Sequence, residues 1–246
     1  MLGSNYIILA GCAASLQQLL QSGLGTSPSG EALTLGLLAA AAFRGLHLAL
    51  YRPFYAQASW TLQAVGVGLV VALAAALYSS IAAATFDPST PASARPGLTT
   101  LAPKPGVPLS AAYALIAVLF LGGGVVLGAL PPSVPAAAFA GGDPGPLLTA
   151  LRGAFASGLV FPGAVAAWVL KDAVDGGTLA WPAARALNVG LLAASLVRGV
   201  SVFLAAKAGV LSATAPWPLP VALHGCIALV AVAGLVKGGW GSGAGN

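Results

Sequence analysis

Seven mostly apolar stretches, each close to the length of a bilayer crossing and parted by breaks rich in Gly, Pro and Ser, constrain this chain more tightly than any motif in it. A helix needs about 20 such residues to cross roughly 30 Å of hydrocarbon. The stretches fall at residues 5–21, 31–51, 59–85, 109–130, 146–172, 181–207 and 218–237. Only 6% of the 246 residues are charged, against about 25% in a soluble globular domain. A water-facing surface cannot be assembled from so few charges. The pattern predicts an all-α integral membrane protein, a polytopic bundle of about seven transmembrane helices forming one transmembrane domain over residues 1–246. The first stretch carries Gln17, Gln18 and Gln21, so it reads either as a tilted span or as an interfacial helix. Residues 86–108, rich in Pro, Ser and Thr, read as an extended loop outside the bilayer whose composition is compatible with disorder.

Ten Lys/Arg and five Asp/Glu are spread singly along the chain, so the basic balance reflects scarce acids and not a basic patch. That excludes a nucleic-acid partner and leaves membrane lipids as the expected surroundings. Cys12 and Cys226 lie inside apolar runs, where burial as small hydrophobes is expected over pairing. The N-terminal residues carry neither the basic region of a signal peptide nor the Arg-rich character of a transit peptide. Loop charges fall as Arg95, Lys104, Lys171, Arg185 and Lys237 on one side and Arg52, Arg152 and Lys207 on the other. This bias places the C-terminus in the cytoplasm and, with seven spans, the N-terminus on the far side.

Charges that the bilayer should exclude are where function is to be sought, because one at mid-membrane costs roughly 2.5–3.5 kcal/mol on insertion scales. Arg198 lies deep in the sixth stretch, as a snorkelling or paired structural arginine or as the lining of a polar cavity. Lys171, Asp172 and Asp175 close the fifth, as interfacial anchors or as a gate or lipid site. Two aspartates at the negative pole of a helix call for a cation or a basic side chain beside them. Arg44 and His47 share a face of the second stretch, and His224 lies in the seventh; a lone intramembrane histidine is usually a bonder between helices. Pro162 removes a backbone donor and predicts a kink. Gly124 and Gly128, four apart on one helical face, predict close packing against a neighbour. No catalytic constellation, metal-spaced His/Cys cluster or phosphate-binding loop is present in the sequence, so neither an enzyme nor a cofactor is expected.

Three anchors in the second half resemble the trimeric intracellular cation (TRIC) channel family. Pro162 followed by Lys171-Asp172-Ala173-Val174 is similar to its kinked fourth helix with a Lys-Glu-Val signature. Leu196-Val197-Arg198-Gly199 resembles the basic-Gly step of its fifth helix, and Trp217-Pro218 with Leu223 and Gly225 the start of its sixth. Upstream, Ala58-Ser59-Trp60 resembles the opening of its second helix. Asp172 stands where the family has glutamate, and Val200 and Ser201 where it has glycines. The resemblance implies a homotrimer with a pore in each protomer, carrying potassium as counter-ion across an intracellular membrane such as the endoplasmic reticulum. It also implies that Lys171 and Arg198 face the pore and hold a phosphoinositide headgroup. Packing glycines and the loose loop equally suit a non-catalytic structural subunit or assembly factor of a larger membrane complex.

Overall fold

The computed structural model describes residues 2–24, 27–50, 52–54, 61, 64–65, 67–68, 72, 102–129, 158–210 and 217–239, and contains no strand among them. Its helices are α1 (Leu2–Gln21), α2 (Pro28–Leu50), α3 (Pro108–Ala129), α4 (Ala164–Asp175), α5 (Pro182–Lys207) and α6 (Pro218–Lys237). A wide, five-residue π-helical turn, Leu159–Gly163, leads into α4. Helix is the form a single segment in hydrocarbon must take, since only then is every backbone N–H and C=O satisfied within it. Proline opens α5 and α6, where its missing N–H costs nothing. The turn after α4 ends on Gly177 at φ 71, a left-handed conformation that glycine adopts without strain.

Among the described residues three helices are long and apolar enough to cross a bilayer, namely the Pro108–Val125 part of α3, α5 and α6. The chain is thus all-helical in its described parts and a membrane protein. Large apolar side chains point outward along these helices, among them Leu115, Val125, Val200, Leu204, Leu229 and Val236. A face of this kind is stable against lipid and not against water. Inside lie Ile8, Leu16, Leu33, Tyr113, Leu170, Leu187, Leu191 and Ile227.

Close contacts fix the relative directions. Gly11 meets Gly190, and Asn5 meets Arg198, so α1 and α5 run antiparallel. Tyr113 meets Asn188 and Phe120 meets Arg198, so α3 and α5 run parallel. Gly199 lies by His224 and Asn188 by Gly234, so α6 returns antiparallel to α5. Lys104 and Asp175 therefore share one end of the bundle with Arg185 and Lys237, while Lys207 closes the other end.

Several boundaries move. The first helix begins at Leu2 and carries its glutamines in a regular last turn, and the second begins at Pro28. Helix α4 continues through Asp175, because Thr178 N–H and Gly177 N–H close its last carbonyls only there. Of the third predicted span only Thr61, Ala64, Val65, Val67, Gly68 and Ala72 are described, and they are helical. The rest of that span, most of the loop 86–108, and residues 130–157 lie outside the described residues. Cys12 is buried as expected, whereas Cys226 is exposed on the outer face of α6, because that helix turns residues 224, 227, 228 and 231 inward. A close approach between helices is seen at Gly11 and Gly190, where a Cβ on Gly190 would stand 3.0 Å from Gly11 Cα. Gly124 is buried in α3, and the surroundings of Gly128 lie outside the described residues.

Candidate functional site: a buried arginine beside a wide helical turn

Arg198 is 1% exposed and is the largest of the fully buried side chains. It lies some 24 Å along α5 from its start, at roughly 1.5 Å per residue. Its guanidinium turns inward and does not snorkel outward along the helix. Nη2 donates to Asn5 Oδ1 at 2.6 Å, and the guanidinium carbon sits 5.6 Å from the centre of the Phe120 ring. An arginine shielded from water gains from both contacts, a charge-assisted hydrogen bond and a cation–π stack. His224, on α6, packs beside Gly199 in the next position of α5.

Asn5 and Phe120 are both seated on glycines that bracket the wide turn. Asn5 occupies the space where a Gly158 side chain would stand, and a Cβ there would overlap its amide. Phe120 occupies the space at Gly163, where a Cβ would come within 2.9 Å of the ring. Between them Pro162 lies inside the π-helical turn, at the place where the sequence predicts a kink. In α register its ring would press on the carbonyl four residues back, and the wider turn relieves that clash. The Pro162 carbonyl is reached by the thiol of Cys12, Sγ to O 3.8 Å.

Below this level, Tyr113 donates to Asn188 Oδ1 where α3, α5 and α6 meet, with Gly234 leaving room for the phenol. Asn188, Ser195 and Arg198 are spaced seven and three apart and all face the interior. Three side-chain atoms along this strip, Asn188 Nδ2, Ser195 Oγ and His224 Nδ1, are buried without a hydrogen-bond partner among the described residues. Buried polar atoms of this kind take a hydrogen-bonding guest, water or an ion.

Lys171 is 4% exposed and lies at the other end of α4. Its ammonium holds Asp172 Oδ1 and Asp175 Oδ2, each at 3.1 Å. The basic partner that the acidic pair calls for is thus Lys171 itself, set one turn back on the same helix. Lys104 Nζ reaches the backbone carbonyl of Asp175 at 3.5 Å. Lys171 lies about 20 Å along the bundle from the Arg198 level, which this segment meets at Gly158, just before the wide turn. A single headgroup cannot be held by both.

Arg44 is half-buried near the end of α2, and the side chain of His47 lies outside the described residues. Among the described residues no group of three or more His, Cys, Asp or Glu could hold a metal ion. A search for charges alone passes over Asn5, Tyr113 and Asn188. Their signal is the same, a polar group in an apolar run, but neutral and therefore weaker. Comparison of the chain with known protein families, with curated proteins and with solved structures gives no match.

Proposed function

We propose that this protein is a membrane pore for a monovalent cation, potassium, and that the state described is its closed form. The observation that carries the reading is Arg198: a charge costing roughly 2.5–3.5 kcal/mol to insert is kept at depth and aimed into the bundle. The polar strip of Asn188, Ser195 and His224 runs along the same interior, and offers a permeant ion the hydrogen-bonding groups that hydrocarbon lacks. A guanidinium standing in such a path repels a cation, so conduction requires Arg198 to leave its seat on Asn5 and Phe120.

The finer features follow the TRIC-like anchors Pro162, Lys171-Asp172 and Arg198-Gly199: about seven transmembrane helices, a homotrimer, and an intracellular membrane such as the endoplasmic reticulum. An anionic headgroup, such as a phosphoinositide, is met at the end where Lys104 and Lys171 lie and not at Arg198. No catalysis belongs to this reading.

Purified protein in planar bilayers tests it. Wild type passes potassium current in rare openings, Arg198→Ala raises the open probability, and Lys171→Ala changes the conductance. Absence of current from wild type and from both variants sinks the proposal.

A second reading is a structural subunit of a larger membrane complex, for which the outward apolar faces of α5 and α6 offer docking surface. Co-migration with other polypeptides on native gels supports it, and a solitary homo-oligomer in mild detergent opposes it.

A further inference from the structure

Arg198 meets Asn5 and Phe120, and each of these is plugged into one end of the same wide turn. Asn5 fills the gap at Gly158 and Phe120 the gap at Gly163, with Pro162 between them. Neither glycine could carry a Cβ without displacing its guest. From this geometry we infer that Asn5 and Phe120 are positioning residues that lock the guanidinium of Arg198 to the turn Leu159–Gly163, so that release of Arg198 and reshaping of the turn are one event. The inference deepens the proposed gating role of Arg198 but stands on packing that can be read without any current.

The mechanism is steric. When Arg198 lets go, Asn5 loses the donor that holds its amide oxygen and Phe120 the cation that holds its ring. Each side chain is then held less firmly in its glycine gap, and the backbone at 158–163 moves as a gap is vacated. Any change in the number of residues in that turn rotates α4 by about 100° per residue. Lys171, Asp172 and Asp175 are carried round with it. A change at one end of the bundle thus reaches the ionic cluster about 20 Å away through a single rigid helix.

Cys12 is a native reporter of the turn. Its thiol lies on the Pro162 carbonyl and is 1% exposed, about two helical turns along α1 from Asn5. In a Cys226→Ala background it is the sole thiol of the chain. The experiment measures the labelling rate of Cys12 by N-ethylmaleimide, read by mass spectrometry on the full chain in liposomes. Arg198→Gln, Asn5→Ala and Gly163→Ala are each expected to raise the rate roughly tenfold or more over wild type. Arg198→Gln combined with Gly163→Ala should raise it no further than either alone, because residues acting as one unit are not additive. Leu235→Ala, a buried truncation on α6, controls for general loosening and should label near the wild-type rate. The inference is overturned if Arg198→Gln labels at the wild-type rate, if the two effects multiply, or if Leu235→Ala matches them. Raised, non-additive labelling without bilayer current would sustain the lock and sink the pore. Current with unchanged labelling in Arg198→Gln would do the reverse.

Discussion

At position 190 the crossing of α1 and α5 is tight: a Cβ would stand 3.0 Å from Gly11 Cα. That obstacle is backbone, so it cannot swing aside as a side chain would. Gly190→Val should therefore cost about 1–3 kcal/mol, measured as a shift in the unfolding midpoint in mixed micelles. Gly122→Ala, which meets open space, should leave the midpoint unchanged. The same scale governs Tyr113 and Asn188. Removing the hydroxyl in Tyr113→Phe leaves the buried Asn188 carbonyl without its donor. Inter-helical hydrogen bonds in bilayers average about 0.6 kcal/mol and reach about 1.7, so a loss of about 1 kcal/mol is expected in the same assay. Tyr113→Phe with Asn188→Leu should lose less than the two single effects together, since no orphaned polar group remains. None of these positions carries charge, which is why a reading driven by intramembrane charge finds Arg198 and passes over its partner Asn5.

Helix α4 is the element whose sequence most nearly states its own role. Pro162 excludes a regular α turn at its entry, and the Lys-Asp-Ala-Val-Asp run supplies the ionic cluster at its exit. Spacing explains the cluster: Lys171 and Asp175 are one turn apart and share a face, while Asp172 lies beside them. Without the lysine, two like charges would face the negative pole of the helix with no compensation. Lys171→Met is therefore expected to destabilise more than Asp175→Asn. About 1–3 kcal/mol is reasonable, below the figure for a fully buried pair because both aspartates keep some contact with solvent. Thermal unfolding of the two variants in one detergent decides the order. The end of α4 at Asp175 was legible in the Lys-Asp-Ala-Val-Asp run, but that Lys171 itself holds both aspartates was not. Only with Lys171 neutralising them can the helix carry them in its last turn.

At the scale of the molecule, the positively charged ends are a statement about orientation. Lys104, Arg185 and Lys237 gather at one end and Lys207 lies at the other, so the expected cytoplasmic C-terminus fixes which end must face which side. In a background of Cys12→Ala and Cys226→Ala, Lys104→Cys and Lys237→Cys should label with an impermeant maleimide from the same side of sealed vesicles. Lys207→Cys should label only from the opposite side. Labelling of all three from one side would refute the arrangement of α3, α5 and α6 as crossing helices. The outward faces of α5 and α6, carrying Leu196, Val200, Leu204, Leu229 and Val236, extend this logic. They belong to lipid or to another copy of the chain, and a single aspartate there, such as Leu229→Asp, should reduce membrane insertion by the roughly 2.5–3.5 kcal/mol of a mid-bilayer charge.

The sequence by itself determined the solvent and the secondary structure, because a chain with 6% charged residues has no other way to satisfy its backbone than helices in hydrocarbon. It also marked Arg198, Lys171 and Pro162, each a local violation of what a membrane helix prefers. Their partners were decided only by tertiary structure. Asn5 lies 193 residues from the arginine it binds, and Phe120 belongs to a third helix. Which glycine receives a side chain and which meets empty space depends on helix crossing, as Gly158, Gly163 and Gly190 against Gly122 make plain. Crossing positions arise from the close fit of whole helix surfaces, and no spacing of residues along one helix encodes where another will approach it.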